Sequence, residues 1–303
     1  MAFRLRPTDG ELLKAVAECR IVTALQLAAL LARSAKGVRD RTTKLIAEGL
    51  LAEVTRGRGQ RRGRPERIVS LCESAVAKLK ERGIIDARIP PDRIMGNSVR
   101  CQNNQLLLNW LRIFLAQIER VLPQLEIRFL AHNSPFVPVE FSCLSITTDM
   151  EPELARPQRV ISIKPDAIFS ICDRDRDKTL LFFLEIDLGT ETLASPQREL
   201  TDIRQKILNY GMCFDHQIYK RYEKLWDRQL NGFRLLFITD SLVRLNALSS
   251  LVQEMPPSDF IWLTEHARMF KDGISGEIWA RGGRLDVSPQ SILGRLACRI
   301  PLS

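Results

Sequence analysis

Three carboxylates set inside two strongly apolar runs mark Val160–Glu191, VISIKPDAIFSICDRDRDKTLLFFLEIDLGTE, as the stretch best equipped for chemistry. Asp166, Glu185 and Asp187 sit among Ile, Leu and Phe, and acids are rarely buried without a partner. Both runs are nearly continuously hydrophobic, which is how strands covered on both faces read. The DRDRDK segment between them, Asp173 to Lys178, is a solvated turn. A hairpin centred on 173 and 178 pairs residues whose numbers sum to 351, which sets Asp166 opposite Glu185. Opposed residues share a face with about 5 Å between Cβ atoms. Glu185 and Asp187, two apart on one strand, point the same way. The three acids then converge on one patch, where repulsion is costly unless a cation sits among them. Hard oxygen ligands with no neighbouring His or Cys suit Mg²⁺ or Mn²⁺ better than zinc. The inference depends on register, because a slip of one residue turns Asp166 to the other face.

The elements that must hold this hairpin follow from spacing. Ser195-Pro196 opens a helix over about Gln197–Phe214, which brings Lys206 and Tyr210, four apart, onto one face. Cys101–Val121 reads as a long helix with Leu106, Leu107, Trp110, Ile113, Phe114 and Ile118 as a core stripe. Leu125–Leu130, Phe233–Thr239 and Phe260–Thr264 read as strands and Leu242–Met255 as a helix. Gly276–Ala280 adds an edge strand, and Phe136–Asp149 is an irregular excursion or an edge hairpin. This order argues for a central sheet flanked by helices. There is no phosphate-binding glycine loop. His132, His216 and His266 form no H-x-H or H-E-x-x-H, which argues against a His-ligated metal.

The charge is unevenly divided. Residues 1–90 hold 19 Lys or Arg against 10 Asp or Glu, while 91–303 hold 26 against 26, so the net +9 belongs to the N-terminal segment. Thr8-Asp9-Gly10-Glu11 and Thr23-Ala24-Leu25-Gln26 each open a helix as a capping box. A third helix over Lys36–Glu48 stops at Gly49, with Val38, Leu45 and Ile46 inward and Lys36, Arg39, Asp40, Thr43 and Lys44 outward. Strands at Leu50–Val54 and Glu66–Cys72 enclose the loop TRGRGQRRGRP, whose Arg56, Arg58, Arg61, Arg62 and Arg64 suit a phosphate backbone or a minor groove. This is the order of a winged helix-turn-helix domain, and its charge favours DNA over a protein partner. The helix Ser74–Arg82 that closes it either packs on the domain or mediates a dimer.

Punctuation by Pro90-Pro91 and Gly96-Asn97-Ser98 divides the chain into 1–88, a linker at 89–100, and 101–303. Seven scattered Cys without a C-x-x-C read as reduced core thiols. No apolar run reaches bilayer length and Met1–Pro7 lacks a signal-peptide core, so no membrane association and cytoplasmic residence are expected.

Pro165-Asp166, then Glu185-x-Asp187 followed by Leu-Gly-Thr-Glu, then a helix with Lys206 and Tyr210, resembles the replication-relaxation family of bacterial mobile elements. The resemblance implies an α+β chain: a winged helix-turn-helix domain, then an α/β PD-(D/E)XK nuclease-like domain with a central mixed sheet. It implies a Mg²⁺-dependent endonuclease or nickase site at Asp166, Glu185, Asp187, Lys206 and Tyr210, relaxase-like, acting in replication or plasmid mobilisation. Lys206 would neutralise the scissile phosphate. Double-stranded DNA and other mobile-element proteins are the implied partners, and a palindromic target would call for a homodimer. The sequence departs from the wider superfamily in carrying Asp187 where (D/E)XK has lysine. That departure favours an alternative, a catalytically inactive nuclease-like DNA-binding regulator or assembly factor. Retention of all three acids in apolar strands favours the enzyme.

Overall fold

The computed structural model describes residues 6–55, 66–96, 101–132, 134–136, 141, 144–148, 159–189, 192–193 and 202–300. They fall into two compact units, the first comprising Met1–Ala116 with Asn133–Pro138 and the second Gln117–His132 with Val139–Leu302.

In the N-terminal unit, helices α1 (Pro7–Cys19), α2 (Ala24–Leu31) and α3 (Ala35–Ala47) are followed by strands β2 (Leu51–Glu53) and β3 (Ile68–Leu71) and helix α4 (Glu73–Glu81). A two-residue strand β1 (Val22–Thr23) joins them in an antiparallel sheet of order β1-β3-β2. Helix α1 starts one residue ahead of the expected Thr8 cap. Pro7 takes the first helical position, where its fixed φ is already helical, and the Arg6 amide donates to Asp9 Oδ2 at 2.6 Å. The Thr23 box forms as expected, Thr23 Oγ1 accepting from the Gln26 amide and Gln26 Oε1 from the Thr23 amide, both at 3.2 Å. Ser34 caps α3, and Gly49 ends the turn after it with φ +66°, a conformation that favours glycine. Leu12, Leu13, Val16, Leu27, Val38, Leu45, Val69, Val76 and Leu79 form the core.

Beneath that core Asp9, fully buried, receives Nε of Arg41 at 2.6 Å and a second donation from Nη2, which ties α3 to α1. Helix α5 (Gln102–Val121) crosses the division between units. Its residues 102–116 group with the N-terminal unit, which therefore extends past the 89–100 stretch. There Asn109 Nδ2 donates to the Ile21 carbonyl at 2.7 Å and Gln26 Nε2 to the Leu106 carbonyl at 2.8 Å.

The second unit is built on strands β4 (Leu125–Ala131), β7 (Ala167–Asp173), β8 (Lys178–Asp187), β9 (Phe233–Thr239), β10 (Ile261–Glu265) and β11 (Ala280–Arg281). They form one mixed sheet of order β11-β10-β9-β8-β7-β4, with β8, β9 and β10 mutually parallel and the other neighbours antiparallel. Crossovers carry helices α6 (Ile203–Asp215) and α7 (Arg221–Trp226) between β8 and β9, and α8 (Leu242–Gln253) between β9 and β10. A short helix α9 (His266–Asp272) follows β10 directly.

In this unit the edge strand is Ala280–Arg281 and not Gly276–Ala280, and two further elements differ from expectation. The apolar run from Val160 is broken, so that β6 (Arg159–Ile163) leaves the main sheet and pairs with β5 (Leu144–Thr148) as a separate two-stranded sheet. Pro165, which has no amide hydrogen to give to a ladder, lies in that break. Helix α6 begins at Ile203, where Asp202 accepts from the Gln205 amide at 2.8 Å, so no helix runs through Asp202; Ser195, Pro196 and Gln197, where its start was expected, lie outside the described residues. One face of the sheet carries Leu181, Phe183, Phe233, Leu235, Phe237 and Leu263, packed against Ile203, Ile207 and Tyr210 of α6 and Leu245, Leu248 and Val252 of α8. On the other face Phe169 stacks on Phe182 at 4.6 Å, and Arg234 lies over Trp262.

Candidate active site

The β7–β8 hairpin has the register that its turn implies. Ala167 pairs with Leu184 and Asp173 with Lys178, so each pair sums to 351. Asp166 lies one residue before β7, and its amide still donates to the Leu184 carbonyl at 2.9 Å. That bond falls one residue out of the 351 register, so the ladder ends at Ala167 and the expected pairing of Asp166 with Glu185 does not extend it; Asp166 Oδ2 instead accepts from the Ile186 amide at 2.7 Å, near enough to Glu185 for its charge to act on that carboxyl. Glu185 and Asp187 are both 4% exposed and share the face covered by α6 and α8.

Helix α6 places Lys206 and Tyr210 above Glu185. Lys206 Nζ lies 3.1 Å from Oε2, and the Tyr210 hydroxyl donates to Oε1 at 2.6 Å. Burial pushes the Glu185 carboxyl up to about 7; the Lys206 ammonium and the Tyr210 hydroxyl pull it down while the Asp166 charge pushes it further up. Burial also raises the Tyr210 phenol well above its ordinary value, and the neighbouring Glu185 charge adds to this. Tyr210 is thus a protonated donor that fixes the carboxylate, and nothing among the described residues activates it as a nucleophile.

Asp187 has a different partner. Arg244, in the first turn of α8, donates Nε to Oδ2 at 2.6 Å and Nη2 to Oδ1 at 3.1 Å, and the Gly189 amide donates to Oδ1 at 3.1 Å. The Ser241 hydroxyl caps this helix, accepting from the Arg244 amide at 3.3 Å. The cation expected among the three acids is thus supplied in part by the protein, with Lys206 on one carboxylate and Arg244 on another. Among the described residues, no three His, Cys, Asp or Glu side chains gather closely enough to hold a metal ion. Asp166 and Glu185, both oxygen donors, have the donor chemistry for Mg²⁺ or Mn²⁺; Asp187, with both oxygens engaged by Arg244, does not complete a three-carboxylate set.

The residues expected to meet DNA lie in the other unit. Lys36, Arg39, Thr43 and Lys44 are exposed on α3, with Val38 and Leu45 of the same helix buried. The Thr43 hydroxyl donates to the Arg39 carbonyl at 2.9 Å. Arg56, Arg58, Arg61, Arg62 and Arg64 lie outside the described residues. Sequence reasoning missed Arg244. It stands 57 residues beyond Asp187 on an ordinary amphipathic helix, and only the fold brings the two together.

In class, this is a mixed α+β protein: N-terminal helices with a small antiparallel sheet, followed by a six-stranded mixed sheet with helices and an acid-bearing central hairpin. The family model for replication-relaxation matches residues 13–228, and the chain belongs to that family. The matched span includes Asp166, Glu185, Asp187, Lys206 and Tyr210 and stops short of Arg244. No curated protein and no solved structure matches the chain. No helix among the described residues is long and apolar enough to cross a membrane.

Proposed function

We propose that the chain binds double-stranded DNA through its N-terminal unit, acting as a winged helix, and nicks or cleaves DNA at the Asp166–Glu185 patch of a PD-(D/E)XK-like second unit. The observation that carries this reading is the ion pair of Lys206 Nζ with Glu185 Oε2 at 3.1 Å, beside an Asp166 whose charge acts on the same buried carboxyl. Family membership supports a role in replication or mobilisation of a plasmid or other mobile element. Asp166 and Glu185 would hold the Mg²⁺ or Mn²⁺, which when bound polarises a phosphate and lowers the pKa of an attacking water. The chain's own groups do the rest. Tyr210 fixes the Glu185 carboxylate, and Lys206 supplies positive charge beside it for a phosphate oxygen. The order of strands and helices supports the DNA-binding half, as does the exposure of Lys36, Arg39, Thr43 and Lys44 on one helix.

One observation favours a second reading, a DNA-binding regulator without catalysis. Lys206 and Arg244 already neutralise two of the three acids, which removes part of the electrostatic need for a metal. Nicking of a supercoiled plasmid that carries the element's origin, in Mg²⁺ or Mn²⁺, decides between them. The enzyme reading expects metal-dependent relaxation by the wild type that Asp166→Ala and Glu185→Ala both lose. Tight origin binding without relaxation in either metal establishes the regulator.

A further inference from the structure

Helix α3 lies between two clefts. On one side a cleft of about 610 Å³ is lined by Arg39 and Thr43 of α3 together with Leu25 of α2 and Glu66 and Arg67 at the start of β3. On the other side a cleft of about 520 Å³ is lined by Asp40 and Lys44 of α3 together with Arg6 at the start of α1 and Arg33. At 3.6 residues per turn, Arg39 and Lys44 stand about 140° apart around the helix axis, with Thr43, Lys36 and Asp40 on the arc between them. All five residues are exposed, while Val38, Thr42 and Leu45 are buried on the remaining side.

The cations at the edges of this arc are open to a ligand. Arg39, Lys44 and Arg6 enter no ion pair among the described residues, whereas Arg33 is paired with Glu11. Arg67 is tied at Nε to Glu53 at 2.9 Å and reaches Thr43 Oγ1 from Nη1 at 3.5 Å, yet its side chain remains 43% exposed. An exposed pair of this kind contributes at most about 1 kcal/mol, so it aims the guanidinium without committing it. Of the acids beside these cations, Glu66 accepts from the Leu25 amide at 2.8 Å, and Asp40 falls inside the arc and not at its edge.

That arrangement matches the cross-section of one ligand. A major groove about 12 Å wide admits a helix about 10 to 12 Å across, which then has a phosphate backbone along each flank and base edges in front. We propose that the two clefts take the two backbones flanking a major groove occupied by α3, with Arg39 and Arg67 on phosphates of one strand and Lys44 and Arg6 on phosphates of the other. Arg67 and Arg6, which lie on neither α3 nor the wing loop, are thereby DNA contacts. The assignment rests on the reading of the N-terminal unit as DNA-binding and is independent of catalysis.

The experiment measures the affinity of the full chain for a 30-base-pair duplex over a series of salt concentrations in EDTA, so that cleavage does not enter. The phosphate contribution is independent of sequence, so a duplex of arbitrary sequence serves. Each neutralised phosphate contributes about 0.9 to the slope of log affinity against log salt, so Arg67→Gln and Arg6→Gln are each expected to lower the slope by about 0.9 and the double variant by about 1.8. Arg67→Lys and Arg6→Lys preserve it. Arg88→Gln removes the same charge from the same unit at a side chain 90% exposed and outside both clefts, and it is expected to leave the slope unchanged. An unchanged slope in Arg67→Gln or in Arg6→Gln, a double variant that loses no more than a single one, or an equal loss in Arg88→Gln overturns the proposal. A wild type without salt-dependent duplex binding overturns the DNA-binding reading together with it, whereas a steep wild-type slope that these variants leave untouched overturns the proposal alone.

Discussion

Glu185 should make the second unit less stable as pH rises through neutrality, and the size of the effect follows from its burial. Its carboxyl titrates at about 7 in the folded chain against an ordinary value of 4.5, so the folded state holds the proton more tightly than the unfolded state does. The sign follows by linkage. The group carries no penalty well below 4.5, loses stability progressively as pH rises toward 7, and levels off above that. With about 1.4 kcal/mol for each pKa unit, the change between pH 5 and pH 8 comes to roughly 2 to 3 kcal/mol.

Glu185→Gln removes the titration while retaining an oxygen that can accept from Tyr210, so its stability should lack this component. The wild type and the variant are compared by urea unfolding at pH 5, 6, 7 and 8. Tryptophan fluorescence is a suitable probe, because Trp226, Trp262 and Trp279 are all buried in this unit. The variant should gain on the wild type with each step in pH up to about 7. Profiles that run parallel, or a wild type that gains relative to the variant as pH rises, would refute the account of a desolvated carboxyl.

Three further outcomes follow from the N-terminal unit. Arg41→Ala strands the fully buried Asp9 carboxylate and should cost roughly 3 kcal/mol in thermal or denaturant unfolding; against the upward push of burial, the guanidinium and the Arg6 amide hold that carboxyl below its usual range, so the wild-type advantage fades in acid as pH falls through that lowered value. Gly96→Ala should destabilise by roughly 1 to 3 kcal/mol, since an added Cβ would lie 2.3 Å from Ile21 Cγ2 and 2.7 Å from Ser70 Oγ, and the melting temperature reads this directly. If the proposed DNA-binding reading is right, replacing Arg56, Arg58, Arg61, Arg62 and Arg64 with Ala should flatten the salt dependence of duplex binding by about 0.9 for every phosphate that these arginines neutralise, and an unchanged slope would remove them from the proposed interface.

The hairpin register was legible because two apolar runs bracket one charged turn, and alternation then leaves no freedom in which residues face each other. Lys206 and Tyr210 were legible together through four-residue spacing on one helix, and both reach Glu185. The break at Pro165 was harder to see. Val160–Ile163 is as apolar as the strand after it, and composition does not say which sheet a strand joins. The Arg6 cap of α1 was hidden by the better cap residue Thr8, because an N-terminal proline outweighed side-chain preference. Arg244 was the deepest omission. Pairing across a parallel crossover depends on tertiary packing and leaves no periodic trace in the chain.

Asp166 and Glu185 differ in mechanical compliance. Glu185 lies within the six-stranded sheet, one residue past the β7 pairing and still paired with Phe237 of β9. Asp166 stands at a joint, with only Lys164 and Pro165 between it and the end of β6 in the separate two-stranded sheet. A pull on that small sheet travels through a tether two residues long and arrives at a residue that is itself tied to β8, through its amide to the Leu184 carbonyl and through its carboxylate to the Ile186 amide. The two acids are therefore coupled through β8 on one side and linked to the small sheet on the other.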